Sequence, residues 1–127
     1  MKKYIVYHFP WQILMAALFF QSSISQIPIP DIGIDWFDKI LHFVVFGILG
    51  FLMARSLKYA NFKQLNSNFV IWSIIICSIY GAMDEIHQLY VPGRFATVGD
   101  WVADVLGIIV FVLLYQKILS RRFQSIR

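Results

Sequence analysis

The chain has 127 residues, 59% of them hydrophobic, with a net charge of +4 and a mean hydropathy of +0.68. One domain's length is too short for a soluble core this apolar, so the composition excludes an ordinary soluble domain and points to a membrane protein. The positive charges are scattered and flank apolar runs, which argues against nucleic-acid binding.

A bilayer core about 30 Å thick needs about 20 largely apolar residues in a helix rising 1.5 Å per residue. Four stretches meet that need, at residues 4–22, 40–57, 69–90 and 101–119. The first has a basic start at Lys2 and Lys3 and polar interruptions at His8, Pro10 and Gln12. It is expected to be a retained helix, with a cleaved signal peptide as the alternative, although Ser22-Ser23-Ile24-Ser25 is a poor cleavage sequence. Pro28-Ile29-Pro30 then breaks the chain. The single cysteine, Cys77, falls mid-span and is read as a small packing residue. The expected fold is all-α: a single domain over residues 1–127 forming an integral membrane bundle of four transmembrane helices.

Basic residues mark the cytoplasmic side of a membrane protein. Lys2, Lys3, Arg55, Lys58, Lys63, Lys117, Arg121, Arg122 and Arg127 fall on one side of the expected topology, and only Lys39 and Arg94 on the other. Both termini are therefore expected to be cytoplasmic. The acids make the reverse pattern: Asp31, Asp35, Asp38, Asp84, Glu85, Asp100 and Asp104 all lie at or just beneath the outer surface. Membrane lipids are the expected partners of the basic inner face, and Trp36, Tyr90 and Trp101 read as an interfacial aromatic belt.

Asp84 and Glu85 stand near the C-terminus of an apolar helix, where the helix dipole and desolvation both disfavour negative charge. An intramembrane charge costs on the order of 3 kcal/mol even on insertion scales, so the pair calls for compensation by a cation or a retained proton. Helical spacing lines up Gly81, Asp84 and Gln88, with His87 beside Asp84, then Asp38, His42, Phe46 and Gly50, then Asp100, Asp104 and Gly107. Three helices thus carry an acid-bearing, glycine-backed stripe at the same end. Arg94, on the tight turn Val91-Pro92-Gly93-Arg94, is the expected bidentate partner of Asp84 or Glu85, with Lys39 the other cation available.

These blocks, Asp38-Lys39-Ile40-Leu41-His42-Phe43, Asp84-Glu85-Ile86-His87-Gln88, Val91-Pro92-Gly93-Arg94 and Asp100 with Asp104 and Gly107, resemble the VanZ-like family of small bacterial membrane proteins over residues 37–115. The resemblance implies a bacterial plasma membrane and a cell-envelope role, the founding member being associated with resistance to the glycopeptide teicoplanin. It supplies no mechanism, and because the family often carries Asn at the position of Asp104, an ionised group there is not implied.

Each residue also has a plainer reading. Asp38 and Asp100 begin helices, where capping alone accounts for an acid, and Lys39 can snorkel to the surface. His42 is either a buried neutral histidine bonded to Asp38 or a backbone carbonyl, or a proton shuttle. His87 suits a surface position at the helix rim, and Gly47, Gly50, Gly81 and Gly107 suit packing. Asp84, Glu85 and Arg94 favour function, against an ion-pair cluster that only fixes the bundle.

Two functions remain in view. The first is binding of a lipid-linked envelope precursor or another anionic headgroup in an outward-facing polar pocket formed by Asp38, Lys39, His42, Asp84, Glu85, Gln88, Arg94, Asp100 and Asp104. The second is an intramembrane hydrolase or transferase acting on a lipid headgroup, with Asp84, Glu85 and His42 as candidate acid and base. A divalent cation variant, drawing on Asp38, His42, Asp84, Glu85, His87 and Asp104, lacks any fixed ligand spacing, so neither metal nor cofactor is expected. A proton or ion pathway is disfavoured because the inner halves of the helices are almost wholly apolar, Ser73 and Ser78 excepted.

Overall fold

The computed structural model describes residues 2–25 and 35–124. Pro28-Ile29-Pro30, Asp31 and Arg127 lie outside the described residues, as do the side chains of Lys2, Lys3 and Asp35. Helices account for nearly all that is described, and no strand occurs among the described residues. In chain order they are α1 (Lys2–Ser22), α2 (Asp35–Lys58), α3 (Lys63–Ser67), α4 (Phe69–Gln88) and α5 (Val98–Gln124).

Among the described residues, three helices are long and apolar enough to cross a membrane, over Trp36–Lys58, Phe69–Gln88 and Val98–Arg122. The sequence suggests four. α1 is a continuous helix of 21 residues, with Pro10 inside it, but its polar residues keep it from being a fourth span by composition. Those residues have a structural use: Ser56 of α2 lies 3.0 Å from the Trp11 Nε1 that donates to it and 2.7 Å from His8 Nδ1. Of the residues that interrupt the apolar run, His8 thus joins Trp11 in docking α1 on α2, while Gln12 is exposed.

α2 is the hub, packing against α5 most extensively and also against α4 and α1. Its first residue is Asp35, not Ile40: Trp36 and Phe37 extend the apolar run backward, and acids are well placed at a helix N-terminus. Asp38 therefore lies one turn inside the helix and is not its N-cap. The stretch read as the second loop contains the short α3.

The core is Phe46, Leu49, Met53, Ala54 and Leu57 of α2 against Phe69 and Cys77 of α4 and Ile108, Val112 and Tyr115 of α5. On α4 the buried residues Phe69, Ser73, Cys77, Gly81, Asp84 and Gln88 recur every three or four positions, while Ile71, Ile75, Ile79, Met83 and Ile86 are exposed. Small and polar inside, large and apolar outside is the pattern of a helix whose surroundings are lipid and whose neighbours approach closely. The closest approach is at Gly107, where a Cβ would lie 2.0 Å from the Phe43 carbonyl oxygen of α2. Only glycine fits there, and that contact sets the register of α2 against α5 for everything above it.

Candidate functional site

The N-terminal turns of α2 and α5 and the C-terminal turn of α4 meet at one end of the bundle, together with the end of α1. Asp84, Glu85, Gln88, Asp100 and Asp104 are all buried there, Asp104 completely. His42 and Lys39 are half-buried and Asp38 is exposed. Two connected groups result.

In the first, α2 faces α5. His42 Nδ1 lies 2.9 Å from Asp104 Oδ1 and 4.0 Å from Glu85 Oε1, and its ring stacks parallel on Phe46. His42 therefore takes Asp104 as its partner and not Asp38. One turn earlier on both helices, Lys39 Nζ pairs with Asp100 Oδ1 at 2.9 Å. Asp100 is held further by Thr97, whose hydroxyl donates to Oδ2 at 2.6 Å and accepts the Asp100 backbone N–H at 3.1 Å. This is a capping box in which Thr97, and not Asp100, takes the N-cap position ahead of α5. The Thr97 backbone N–H, which the acid of a capping box would normally accept, is bound instead by Glu85 Oε2 from α4 at 3.1 Å. Glu85 thus ties α4 to the start of α5.

In the second group, α4 faces α1. Asp84 accepts from the Ser22 hydroxyl at 2.7 Å and from Gln88 Nε2 at 3.0 Å, which satisfies both its oxygens. Beside it, Ser23 Oγ and His87 Nε2 are 2.9 Å apart and the His87 ring stacks on Phe19, so His87 belongs to the α1–α4 contact.

Arg94 pairs with neither acid. Its Nη2 donates to Gln21 O at 2.6 Å and its Nε to Ile24 O at 3.3 Å, carbonyls at and just past the end of α1. The turn that carries it explains the difference: Arg94 N bonds Val91 O at 3.1 Å and Gly93 has φ 79°, a type II turn with Pro92 and Gly93 at its two central positions. That turn directs the arginine across the end of the bundle toward α1. Neutral donors serve the two acids instead: Ser22 and Gln88 meet both oxygens of Asp84, and the Thr97 amide meets one oxygen of Glu85.

The two groups share a cavity of about 340 Å³ lined by Asp38, His42, Asp84, Gln88 and Arg94 over an apolar floor that includes Leu18 and Phe46. Glu85 stands with Thr97 and Trp101 on a separate cavity of about 270 Å³. Asp100 and Lys39 line neither of these two cavities. Two buried carboxylate oxygens, Glu85 Oε1 and Asp104 Oδ2, have no hydrogen-bond partner. His42, Glu85 and Asp104 offer ligand atoms within 4.8 Å of one another, as do Asp38, His42 and Asp100. The first set draws on three helices, so no spacing in the sequence announces it, whereas the second takes Asp38 and His42 from one face of α2 and Asp100 from α5.

Ser22 and Thr97 were not singled out by the sequence. Thr97 had a readable signal, the Thr-x-x-Asp of a helix start. Ser22 had only a weak one, a hydroxyl at the same depth as the acids.

A small protein that is all-helical over the described residues, three of whose helices are long and apolar enough to cross a membrane and whose buried acids gather at one end, belongs among multi-helix membrane proteins. The VanZ/LLP1 family model matches residues 2–120, and the chain belongs to that family. Neither curated proteins nor solved structures gave a match.

Proposed function

We propose that this is a multi-pass protein of the bacterial plasma membrane with both termini cytoplasmic, α1 serving as a fourth membrane helix, and that its polar end opens outward to bind an anionic or lipid-linked headgroup. The role is in the cell envelope, of the kind that underlies glycopeptide resistance. One observation carries the reading: a cavity of about 340 Å³ joins the cation Arg94 and the acids Asp38 and Asp84 to an apolar floor. A headgroup that presents a phosphate or carboxylate beside amine or sugar hydroxyl hydrogens meets complementary groups there, and its acyl or prenyl chain continues along the exposed apolar faces of α2 and α4.

The test is binding of the purified protein to nanodiscs containing a polyprenyl pyrophosphate, with phosphatidylglycerol nanodiscs as the bulk-lipid arm. Arg94→Ala is expected to weaken the polyprenyl pyrophosphate binding by roughly tenfold, the worth of one charge-assisted contact. Equal affinity for wild type and variant sinks the reading, and a C-terminal reporter active on the periplasmic side overturns the orientation.

The second reading, an intramembrane hydrolase or transferase, is favoured by His42, which lines the same cavity and lies 2.9 Å from the fully buried Asp104 behind it. An imidazole oriented by a buried carboxylate is the arrangement of a general base. Release of phosphate from the polyprenyl pyrophosphate by wild type, lost in His42→Gln, supports this reading; no turnover removes it.

A further inference from the structure

The buried acids beneath the cavity present a problem the headgroup reading does not address. Asp104 is 0% exposed and Glu85 8% exposed, yet Asp104 Oδ2 and Glu85 Oε1 each lack any hydrogen-bond partner. A buried acceptor left unpaired costs about 1–3 kcal/mol, more for a charged group, and a carboxylate sunk below a membrane surface has no bulk water to turn to. The two cations at this end are directed elsewhere: Lys39 to Asp100, Arg94 to the carbonyls of Gln21 and Ile24. Asp84, the third acid in the neighbourhood, has both its oxygens satisfied. Among the described residues, the unpaired carboxylate oxygens are therefore those of Glu85 and Asp104, and both side chains stand beside His42, Glu85 through its unpaired Oε1 and Asp104 through its other oxygen, Oδ1.

We propose that His42, Glu85 and Asp104 form a binding site for a divalent transition cation. The three donors come from three helices, with Nδ1 of His42 2.9 Å from Asp104 Oδ1 and 4.0 Å from Glu85 Oε1. A cation bonded at about 2.1 Å sets neighbouring ligands roughly 3.0–3.5 Å apart, so these separations bracket what it needs. One imidazole nitrogen with two carboxylates suits Zn²⁺ or Mn²⁺; Mg²⁺ and Ca²⁺ prefer all-oxygen sets.

The surroundings are built to hold these ligands. Glu85 is anchored through its other oxygen by the Thr97 amide at 3.1 Å, and the His42 ring is fixed against Phe46. Gly81 leaves the space beside Asp104 Oδ2 open, since a Cβ there would come within 3.3 Å of that oxygen and of the Phe46 ring. The alternative triad of Asp38, His42 and Asp100 is less suited, because both Asp100 oxygens are already engaged by Lys39 and Thr97. His42 also lines the large cavity, so the cation borders the proposed headgroup pocket and adds positive charge beside Arg94. The site itself does not depend on that reading, because it predicts metal binding with no headgroup present.

The experiment uses full-length protein in detergent, stripped with chelator and titrated calorimetrically with Zn²⁺ and separately with Mn²⁺, the Mn²⁺ form being examined by pulsed electron paramagnetic resonance. One equivalent per chain is expected, with a nitrogen coupling from the imidazole that disappears in His42→Gln. Glu85→Gln and Asp104→Asn, which preserve shape, are each expected to weaken affinity by roughly tenfold or more, while His87→Gln at the same end leaves it unchanged. Absence of stoichiometric binding of either ion to wild type overturns the proposal and leaves a proton as the compensation. Binding that survives both carboxylate substitutions, or lacks the nitrogen coupling, also overturns it by placing the ion elsewhere. Loss of metal binding together with intact polyprenyl pyrophosphate binding would separate failure of this site from failure of the headgroup reading.

Discussion

Gly107→Ala tests the contact on which the site's geometry depends. A Cβ at this position would stand 2.0 Å from the Phe43 carbonyl oxygen, 2.8 Å from its carbon and 3.0 Å from the Phe43 Cα. The hydrogen that occupies the place in glycine points at that oxygen, a Cα–H to carbonyl contact normally about 3.3–3.6 Å between heavy atoms. A methyl group needs a similar separation, so α2 and α5 must part by about 1.3 Å where they now touch. No side chain can yield, because the obstacle is backbone. Overpacking of this kind costs about 1–3 kcal/mol and belongs at the upper end here. A displacement of that size would carry His42 and Asp104, now 2.9 Å apart, out of hydrogen-bond range, at a further cost of about 1.5–3 kcal/mol if the pair is charged. Alanine returns about 1 kcal/mol of helix propensity. The net expectation is a loss of about 2.5–5 kcal/mol, measured by equilibrium unfolding in mixed detergent micelles. Gly50→Ala on the same interface meets Ile108 at 3.2 Å, a few tenths of an ångström too close, and its propensity gain should nearly offset the clash. A Gly107→Ala protein within about 0.5 kcal/mol of wild type, or no more destabilised than Gly50→Ala, would refute the close approach of these helices.

Three further outcomes follow from the geometry. Ser56→Ala removes the shared partner of Trp11 and His8 and should loosen α1 by about 1–3 kcal/mol; faster thiol labelling of a cysteine placed at position 14 in the variant is the readout, and unchanged labelling counts against the docking of α1. Thr97→Val keeps the backbone amide that binds Glu85 but loses the cap, and should cost about 1 kcal/mol with Thr97→Ser near neutral; if serine is as damaging as valine, the hydroxyl is not the cause. Cys77, fully buried in the core, should resist maleimide in folded protein and react on unfolding, and rapid labelling under native conditions would place α4 differently.

The legibility of this chain divides by the range of the interaction. α4 was readable to within two residues, and α5 over residues 101–119 of its Val98–Gln124 span, because a bilayer demands a long apolar run whatever the neighbours are. The stripe of Gly81, Asp84 and Gln88 was readable because it needs only the helical repeat. α1 was harder: His8 and Trp11 lower its hydropathy, and only Ser56 on another helix gives these half-buried side chains a partner. Arg94 misled for a related reason. Counting charges made it the natural partner of Asp84 or Glu85, whereas the turn at Gly93 aims it at the carbonyls ending α1. A backbone carbonyl is present at every residue and leaves no mark in a sequence.

Composition and periodicity by themselves determined a helical membrane protein with its acids gathered at one end and its cations mostly at the other, because those properties depend on local spacing and on the energy of placing charge in a membrane. The blocks around Asp38, Asp84, Arg94 and Asp100 also identified its family. Which acid meets which donor was decided only by the tertiary structure. His42 with Asp104, Glu85 with the Thr97 amide and Asp84 with Ser22 are separated by 62, 12 and 62 positions, and each depends on how closely two helices approach. That distance is set at contacts such as Gly107 on Phe43, where the packing of backbone against backbone chooses the partners.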